Sequence, residues 1–240
     1  MNGFFQSTYL TSGATPASIP GSNNAFGAWT VIWSNVPAPL DGYILTSYCS
    51  VSNSLLNIGI GPAGSTSPTF IQLNNFQQAA AGGGTILVPI RVPAGATIFG
   101  QGAINGNTGN LSVTLSGIPS GNIPPSMIGN QILSGATGLS DAYFQTTFPG
   151  SSITQLTTTP TPDIVKMIWL NNTGNSSFQA SIGIGPSTTL DEYIIENMLF
   201  YNSGYVAQLT AIPCFVPPGN NFFLDVVSTN GNQGTFLYLI

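Results

Sequence analysis

Apolar and polar residues alternate in short runs along the whole chain, which is the pattern of half-buried β-strands. The clearest case is 111–115, Leu-Ser-Val-Thr-Leu, and turn residues bound most of the runs. Only 191–199 has a pattern compatible with a helix. Its counterpart 67–75 is extended in character, so we predict strand or loop there. Further β-branched and aromatic runs occupy 29–33, 43–48, 86–92, 163–170, 178–184, 205–212, 221–227 and 235–240.

Two sequence motifs occur twice at one fixed displacement. Ile-Gly-Ile-Gly-Pro begins at Ile58 and again at Ile182, and Val-Pro-x-Gly begins at Val92 and again at Val216. Both pairs are separated by 124 positions, and Ser-Gly-Ala-Thr recurs from Ser12 at nearly the same displacement. Two motifs at one displacement are hard to obtain by chance, so we infer an internal duplication.

The duplication predicts two tandem domains, because a period of about 120 residues is too long for a solenoid repeat and suits a whole domain. The fold class predicted is all-β, with two tandem β-sandwich (jelly-roll-like) domains of seven or eight strands each. Prolines and a glycine between residues 118 and 125 interrupt ladders and helices, which indicates a linker. The predicted organisation is an N-terminal arm at 1–10, a first sandwich at 11–121, a linker at 122–132 and a second sandwich at 133–240.

The glycines and prolines of the repeated motifs have structural explanations. A phosphate loop is excluded, since neither copy has the Lys-Ser/Thr pair or a following helix. Alternate glycines in a strand let another backbone or a ring pack closely on one face. In Val-Pro-x-Gly the proline presets φ and the glycine tolerates positive φ. Pro89 and Pro213 predict strands near a sheet margin. The positions concerned are Gly59, Gly61, Pro93, Gly95, Gly183, Gly185, Pro217 and Gly219.

Few charges cover this protein. Charged residues are 4% of its 240 residues, whereas ordinary globular domains have about 25%. Hydrophobic residues reach 42%, which is enough for a core. The net charge is −5, and the basic residues are Arg91 and Lys166. We therefore expect no binding to nucleic acid or to an anionic membrane, because both need clustered Lys and Arg. The first residues lack the features of a signal peptide, so we expect synthesis in a cytoplasm.

The sequence restricts catalysis severely, because it contains no histidine. A Ser-His-Asp triad and a Cys-His pair are impossible, and two cysteines cannot close a zinc site. A carboxylate pair for glycoside hydrolysis, or a calcium site, remains conceivable around Asp191, Glu192 and Glu196. The first copy has uncharged residues at 67, 68 and 72, the matching positions. We therefore predict solvated carboxylates, no enzyme activity, no cofactor and no metal. The carboxylates are Asp41, Asp141, Asp163, Asp191, Glu192, Glu196 and Asp225.

Aromatic residues are the remaining candidates for binding. Trp29 and Trp33 stand four positions apart on a predicted strand and would share one face, and Trp169 lies in an apolar run. They suit core packing, a stacking platform for a sugar ring, or a hydrophobic subunit contact. Phe4 and Phe5 in the arm are candidates for a clasp on a neighbouring subunit. Cys49 and Cys214 occupy non-equivalent places, so we expect free thiols, with a single disulfide as the alternative.

The region 58–115 resembles domains of structural proteins from tailed bacteriophages. The shared features are the Ile-Gly-Ile-Gly segment, then Ala-Gly-Ser at 63–65, the Pro-Ile-x-Val-Pro-Ala-Gly turn at 89–95, and an alternating final strand. The second copy keeps the first and third features in part, but has Ser-Thr-Thr at 187–189. The likeness is structural and covers one copy well.

This resemblance implies a virion location, with other copies of the chain and the major capsid or tail proteins as partners. The leading hypothesis is a viral structural protein that decorates a capsid as a cement protein and forms a homo-oligomer. A tail fibre or receptor-binding module that recognises host glycans is the alternative. A carbohydrate-binding module outside a virion and a glycan-degrading enzyme are the remaining hypotheses. Because the chain has so few ions, we expect its subunit contacts to be insensitive to salt.

Overall fold

The fold was established from a computed structural model. It describes residues 9–13, 15–78, 82–135, 146–148, 152–172, 177–200, 209–227 and 232–240. The predicted clasp residues Phe4 and Phe5, and the carboxylate Asp141, lie outside these ranges. Within them the protein is nearly all β, as predicted, and a 3-10 helix at Pro125–Met127 is the helical element.

The first half of the chain contributes nine strands. The runs predicted at 29–33, 43–48, 86–92 and 111–115 overlap four of them, because β-branched and aromatic residues fit a pleated, half-buried surface. The strands are β1 (Leu10–Thr11), β2 (Ala17–Asn23), β3 (Thr30–Trp33), β4 (Leu40–Cys49), β5 (Ser54–Gly61), β6 (Phe70–Gln78), β7 (Gly82–Val88), β8 (Thr97–Ile104) and β9 (Gly109–Pro119).

The second half contributes nine more. The segment with the ambiguous pattern is a strand, β15, so the extended interpretation of 191–199 is confirmed. The strands are β10 (Ile132–Ser134), β11 (Thr146–Phe148), β12 (Ser152–Gln155), β13 (Val165–Asn172), β14 (Phe178–Gly185), β15 (Glu192–Phe200), β16 (Thr210–Val216), β17 (Asn221–Val226) and β18 (Asn232–Leu239).

One pattern of antiparallel pairing occurs in both halves. In the first half, β9 pairs with β1, β2 and β4, and β4 also pairs with β7. Strand β5 pairs with β6 and β8, and β8 also pairs with β3. In the second half, β18 pairs with β10, β11 and β13, and β13 also pairs with β16. Strand β14 pairs with β15 and β17, and β17 also pairs with β12. Each strand thus has a counterpart nine strands later.

Two parallel contacts connect these groups further. Strand β2 pairs with β8 at Gly21–Gly102, which curls the first half into a continuous sheet. Strand β10 pairs with β6 at Ile132–Leu73, which joins the halves. The result is one 14-stranded sheet that ends in β7 and β16, with a four-stranded sheet, β12-β17-β14-β15, beside it. The prolines anticipated these margins, since Pro213 lies in β16 and Pro89 directly follows β7.

The segment between the halves differs in part from the predicted linker. Ladder pairing continues to its start, because Ile118 and Pro119 pair with Gly42 and Leu40 at the end of β9. A 3-10 helix then follows at Pro125–Met127. Prolines did not prevent either element, since Pro119 terminates its strand and Pro125 stands at the first position of its helix, where a missing N–H costs little.

Two large hydrophobic cores occupy the described part of the protein, and Leu55 and Ala103 form a small third cluster. The first core is in the first half, between the strands joined to β9 and β4 and the strands joined to β5 and β8. It includes Tyr43, Leu45, Phe76 and Val113. The second lies between the corresponding groups of the second half, where Phe222 packs on Phe236 with ring centroids 4.9 Å apart.

Strands β13 and β18 contribute to both cores. Met167, Trp169, Leu237 and Leu239 belong to the first core, whereas Ile168, Leu170, Phe236 and Tyr238 belong to the second. Because successive side chains of a strand point to opposite faces, this sheet is buried on both sides. The uninterrupted apolar run at 167–170 follows from that position.

Candidate functional site

A cleft of about 1090 Å³ lies where the first half meets the segment between the halves. Its walls are the end of β5, the start of β6, the turn at 93–96, and residues 125–130. Both repeated motifs of the first half therefore border it. The walls are mainly apolar, and the polar groups that they present include Thr69, Gln72, Arg91 and Asn130.

Arg91 is the cation of this cleft, and its side chain is 67% exposed. Below it, Gln72 is buried and hydrogen-bonded on both sides. The Tyr43 hydroxyl donates to Gln72 Oε1 at 2.9 Å, and Gln72 Nε2 donates to the Arg91 carbonyl at 3.3 Å. Burial raises the pKa of the Tyr43 hydroxyl, so it stays protonated and remains a donor. The backbone under Arg91 is thereby fixed.

Asp41 lies beside Arg91 and holds the turn that follows β9. Its Oδ2 accepts the backbone N–H groups of Gly121, Asn122 and Ile123 at 2.6, 3.0 and 3.2 Å. Its Oδ1 accepts the Ser120 hydroxyl at 3.2 Å. Gly121 has a φ of 93°, which lets successive amides point at one carboxylate.

Asp41 is buried, although the sequence predicted solvated carboxylates throughout. That prediction is wrong for this residue. Burial opposes the charged form, but the amides of Ile123, Gly121 and Asn122 and the Ser120 hydroxyl favour it more strongly, so the pKa of Asp41 lies below its usual value. Arg91 Nε lies 4.0 Å from Oδ1. The carboxylate is therefore ionised and acts as a structural clamp.

Lys166 holds the same segment from the second half. Its Nζ donates to the Ile128 carbonyl at 2.7 Å. Both basic residues of the chain consequently stand at the junction of the halves. Because the chain has only two basic residues, their positions were the sequence signal that could have indicated this junction.

The alternate glycines make room for loops that fold back over their strands. A Cβ at Gly59 would lie 2.5 Å from Pro68 Cβ, and one at Gly61 would lie 2.5 Å from Ser65 Oγ. In the second half, Leu190 and Thr189 occupy the same places against Gly183 and Gly185. The motif is thus a packing site for the loop that follows it.

The Val-Pro-x-Gly motifs are turns of the kind that the sequence predicts. Gly95 has a φ of 78° and Gly219 a φ of 86°, a region that side chains rarely adopt. The Ala96 N–H donates to the Pro93 carbonyl, and the Pro217 carbonyl accepts hydrogen bonds from Thr161 and Asn220.

The three tryptophans differ in their surroundings. Trp33 and Trp169 are buried in the first core and present no open ring face to a ligand, while Trp29 is half-buried. Trp29 and Trp33 do not follow simple strand alternation, because a bulge between Val31 and Trp33 leaves Ile32 and Trp33 both buried. An aromatic side chain that borders the cleft is Phe70, which is 44% exposed and escaped the sequence analysis.

None of the described carboxylates lines the cleft, and Asp41 borders a smaller neighbouring pocket that shares Arg91 with it. Asp191, Glu192 and Glu196 are exposed around β15. Asp225 accepts the Tyr193 hydroxyl at 2.6 Å, and this hydrogen bond raises the pKa of Tyr193. Within the described ranges no three His, Cys, Asp or Glu side chains come together in a group that could hold a metal ion.

Both cysteines are free thiols in this structure. Cys49 is buried in the first core, and Cys214 is half-buried on β16. Burial raises the pKa of the Cys214 thiol to about 11. The described part of the chain has no helix that is long and apolar enough to cross a membrane.

Comparison with known proteins assigns no family. No protein-family model and no curated protein matches the sequence. Among solved structures, an allantoicase has a TM-score of 0.26 at 10% identity over 83% of this chain and 74% of its own. The oxalate decarboxylase of Lactobacillus farciminis has 0.24 at 6% over 85% and 74%, and that of Bacillus subtilis has 0.22 at 8% over 99% and 77%. TM-scores this low carry no conclusion about this chain.

Proposed function

We propose that this chain is a non-enzymatic structural protein of a tailed-phage virion that decorates the capsid as a cement protein. In this proposal it consists of two tandem jelly-roll-like domains, at 11–121 and 133–240. The recurrence of one strand-pairing pattern in β1–β9 and β10–β18 supports the two domains. The phage-like motifs at 58–65 and 89–95 support the virion.

The observation that carries the proposal is the set of exposed apolar side chains on free sheet edges, where β15 also carries the exposed Glu192 and Glu196. Leu199 on β15 is 66% exposed, Ile153 on β12 is 54% exposed, and Phe215 on β16 is 75% exposed. These three strands end their sheets in the described part of the chain. Natural edges are usually protected by charged residues, and exposed apolar edges are typical of surfaces that bind other proteins.

The chemistry of the cleft supports binding better than catalysis. Every oxygen of Asp41 already accepts hydrogen bonds from the turn at 120–123, so this carboxylate is not poised to exchange a proton. Arg91 offers a positive charge but no proton, since a guanidinium does not deprotonate in proteins.

The test is to locate the chain in intact particles. Cryo-electron microscopy of the phage should show its two sandwiches on the capsid shell. Particles assembled without the protein should release their genome at a lower temperature, and added purified protein should restore the wild-type temperature. Density on the tail instead, or unchanged capsid stability, would contradict the cement role.

The cleft favours a second candidate, a tail fibre or receptor-binding module that recognises host glycans. Phe70 offers an exposed ring beside Thr69, Asn130 and Arg91, and an aromatic face with hydroxyl, amide and guanidinium groups suits a sugar. Binding of the purified chain to host-surface glycans, weakened at least tenfold by Phe70→Ala but not by Val31→Ala, would support this candidate over the cement role.

A further inference from the structure

The second half closes one side of the first half, which we call the first flank: Leu73 and Phe76 on β6, with Val88 on β7 and Ile90. Strand β10 pairs with the free edge of β6 at Leu73, and Gly129 forms a parallel bridge with Ile90. Met167 and Trp169 pack in the same core as these residues. All four residues of the first flank are consequently buried.

On the corresponding side of the second half, the described part of the chain contains no covering strand. Strand pairing identifies Ile195 as the counterpart of Leu73, because Ile195 pairs with Ile182 as Leu73 pairs with Ile58. Met198 corresponds to Phe76 in the same way, through Ala180 and Leu56. Ile212 corresponds to Val88, through Ile168 and Tyr43. Cys214 follows Pro213 as Ile90 follows Pro89. We call these four residues the second flank: Ile195, Met198, Ile212 and Cys214.

The second flank is only half-buried, although its residues are as apolar as those of the first. Leu199 and Phe215, which are the most exposed large hydrophobic side chains of the described chain, directly follow Met198 and Cys214 on the same strands. In the described part of the chain β15 pairs only with β14, and β16 only with β13. The flank therefore has an open strand edge and an open apolar surface, which is what β10 and its sheet cover in the first half.

The chain also carries a second version of the covering element. Strand β1 pairs with β9 as β10 pairs with β18, and Leu10 and Leu133 occupy equivalent positions. Tyr9 then corresponds to Ile132, the residue that meets β6. Ile132 is fully buried, whereas Tyr9 is 49% exposed and the outer edge of β1 pairs with no described strand.

The sheet face next to β1 is suited to the same contact. Ile44 and Leu87 occupy the positions of Trp169 and Ala211, and both are half-buried. Ser116 stands where the second half has Leu237, so a contact through this face would be weaker than the internal one.

We propose that the second flank binds the first half of another copy of this chain, with β1 of that copy running along β15. The contact between chains would repeat the contact that joins the two halves within one chain. Such an interface is heterologous, so it propagates into a ring or a filament. The proposal rests on the tandem domains of the proposed function, but not on a place in the virion.

The test is complementation between two purified variants, measured by sedimentation velocity. The wild-type chain should form concentration-dependent oligomers that persist in high salt, since no charge pair takes part. Tyr9→Glu places a charge on the covering surface, and Leu199→Glu with Phe215→Glu places two charges on the strands that carry the second flank, so each variant alone should be monomeric. Mixed together, they should form dimers and nothing larger, because each retains one intact surface.

Ile153→Glu is the matched control, since Ile153 is an exposed apolar residue on the opposite edge of the four-stranded sheet from β15. It should assemble like the wild type. A wild-type chain that remains monomeric at all concentrations would overturn the proposal. Normal assembly of Tyr9→Glu alone would also overturn it, because it would indicate a self-complementary interface. A mixture of the two variants that stays monomeric would overturn it as well.

This experiment involves no phage particles, so its failure leaves the cement role to its own test.

Discussion

Trp169 and its chain neighbour Ile168 pack in different hydrophobic cores. Trp169 is 1% exposed and lies in the core of the first half, while Ile168 is fully buried in the core of the second. Strand β13 is thus a wall shared by both halves. The core of the first half therefore includes residues of the second half.

Trp169→Ala should lower the free energy of unfolding by about 3–5 kcal/mol, the usual cost of truncating a buried tryptophan. Because the side chain fills the first core from the second half, urea unfolding should remain one transition. Trp29→Ala, at a half-buried position, is the control and should cost clearly less. Two separated transitions in the Trp169 variant, with one at the wild-type midpoint, would contradict the shared wall.

Asp41→Asn should destabilise the protein by about 1.5–3 kcal/mol at neutral pH, since it replaces charge-assisted hydrogen bonds and presents an amide donor to backbone N–H groups. The pKa of Asp41 is lower folded than unfolded, so its stabilisation is present above the unfolded pKa and is lost as pH falls through the folded pKa. Urea midpoints of wild type and variant should converge in acid. Asp163→Asn, at an exposed site, is the control: its urea midpoint should equal that of the wild type at pH 7 and in acid.

Gly59→Ala should cost about 1–3 kcal/mol, because the new methyl group meets Pro68 on the loop that folds over β5. Pro68→Gly removes the atoms that it would strike. The double variant should therefore be more stable than the sum of the two single changes predicts. Thermal unfolding of the four proteins gives the coupling, and strict additivity would show that the loop does not press on Gly59.

Alkylation of Cys214 should be slow at neutral pH and should accelerate as the pH approaches about 11, its pKa in the folded protein. This raised pKa also means that the protonated thiol stabilises the fold below the unfolded pKa, and that the stabilisation is lost as pH rises through the folded value. Mass spectrometry after timed iodoacetamide treatment measures the rate. A Cys49→Ala background assigns the label, and fast modification at neutral pH would contradict the buried environment.

Much of the fold was predictable from the sequence because strand and turn preferences are local. Alternation and β-branched residues placed most strands, and 191–199 is extended as expected. Glycine at Gly95 and Gly219 anticipated turns with positive φ, and Pro89 and Pro213 anticipated the sheet margins. The fixed displacement of 124 positions showed that one pattern occurs twice. Each of these conclusions depends either on residues close together in the chain or on the recurrence of one motif in two segments.

The tertiary structure decided what faces each strand, because strand pairing brings together residues far apart in the chain. The apolar run at 167–170 indicated burial on both faces, but only the pairing of β10 with β6 shows that the first half covers one of them. The sequence predicted that Asp41 is solvated, because the turn at 120–123 that surrounds it with amides lies some 80 residues later in the chain. The flank at Ile195 is only half-buried for the same reason: its strand pairs with β14 as β6 pairs with β5, but no described strand pairs along its other edge as β10 does along β6.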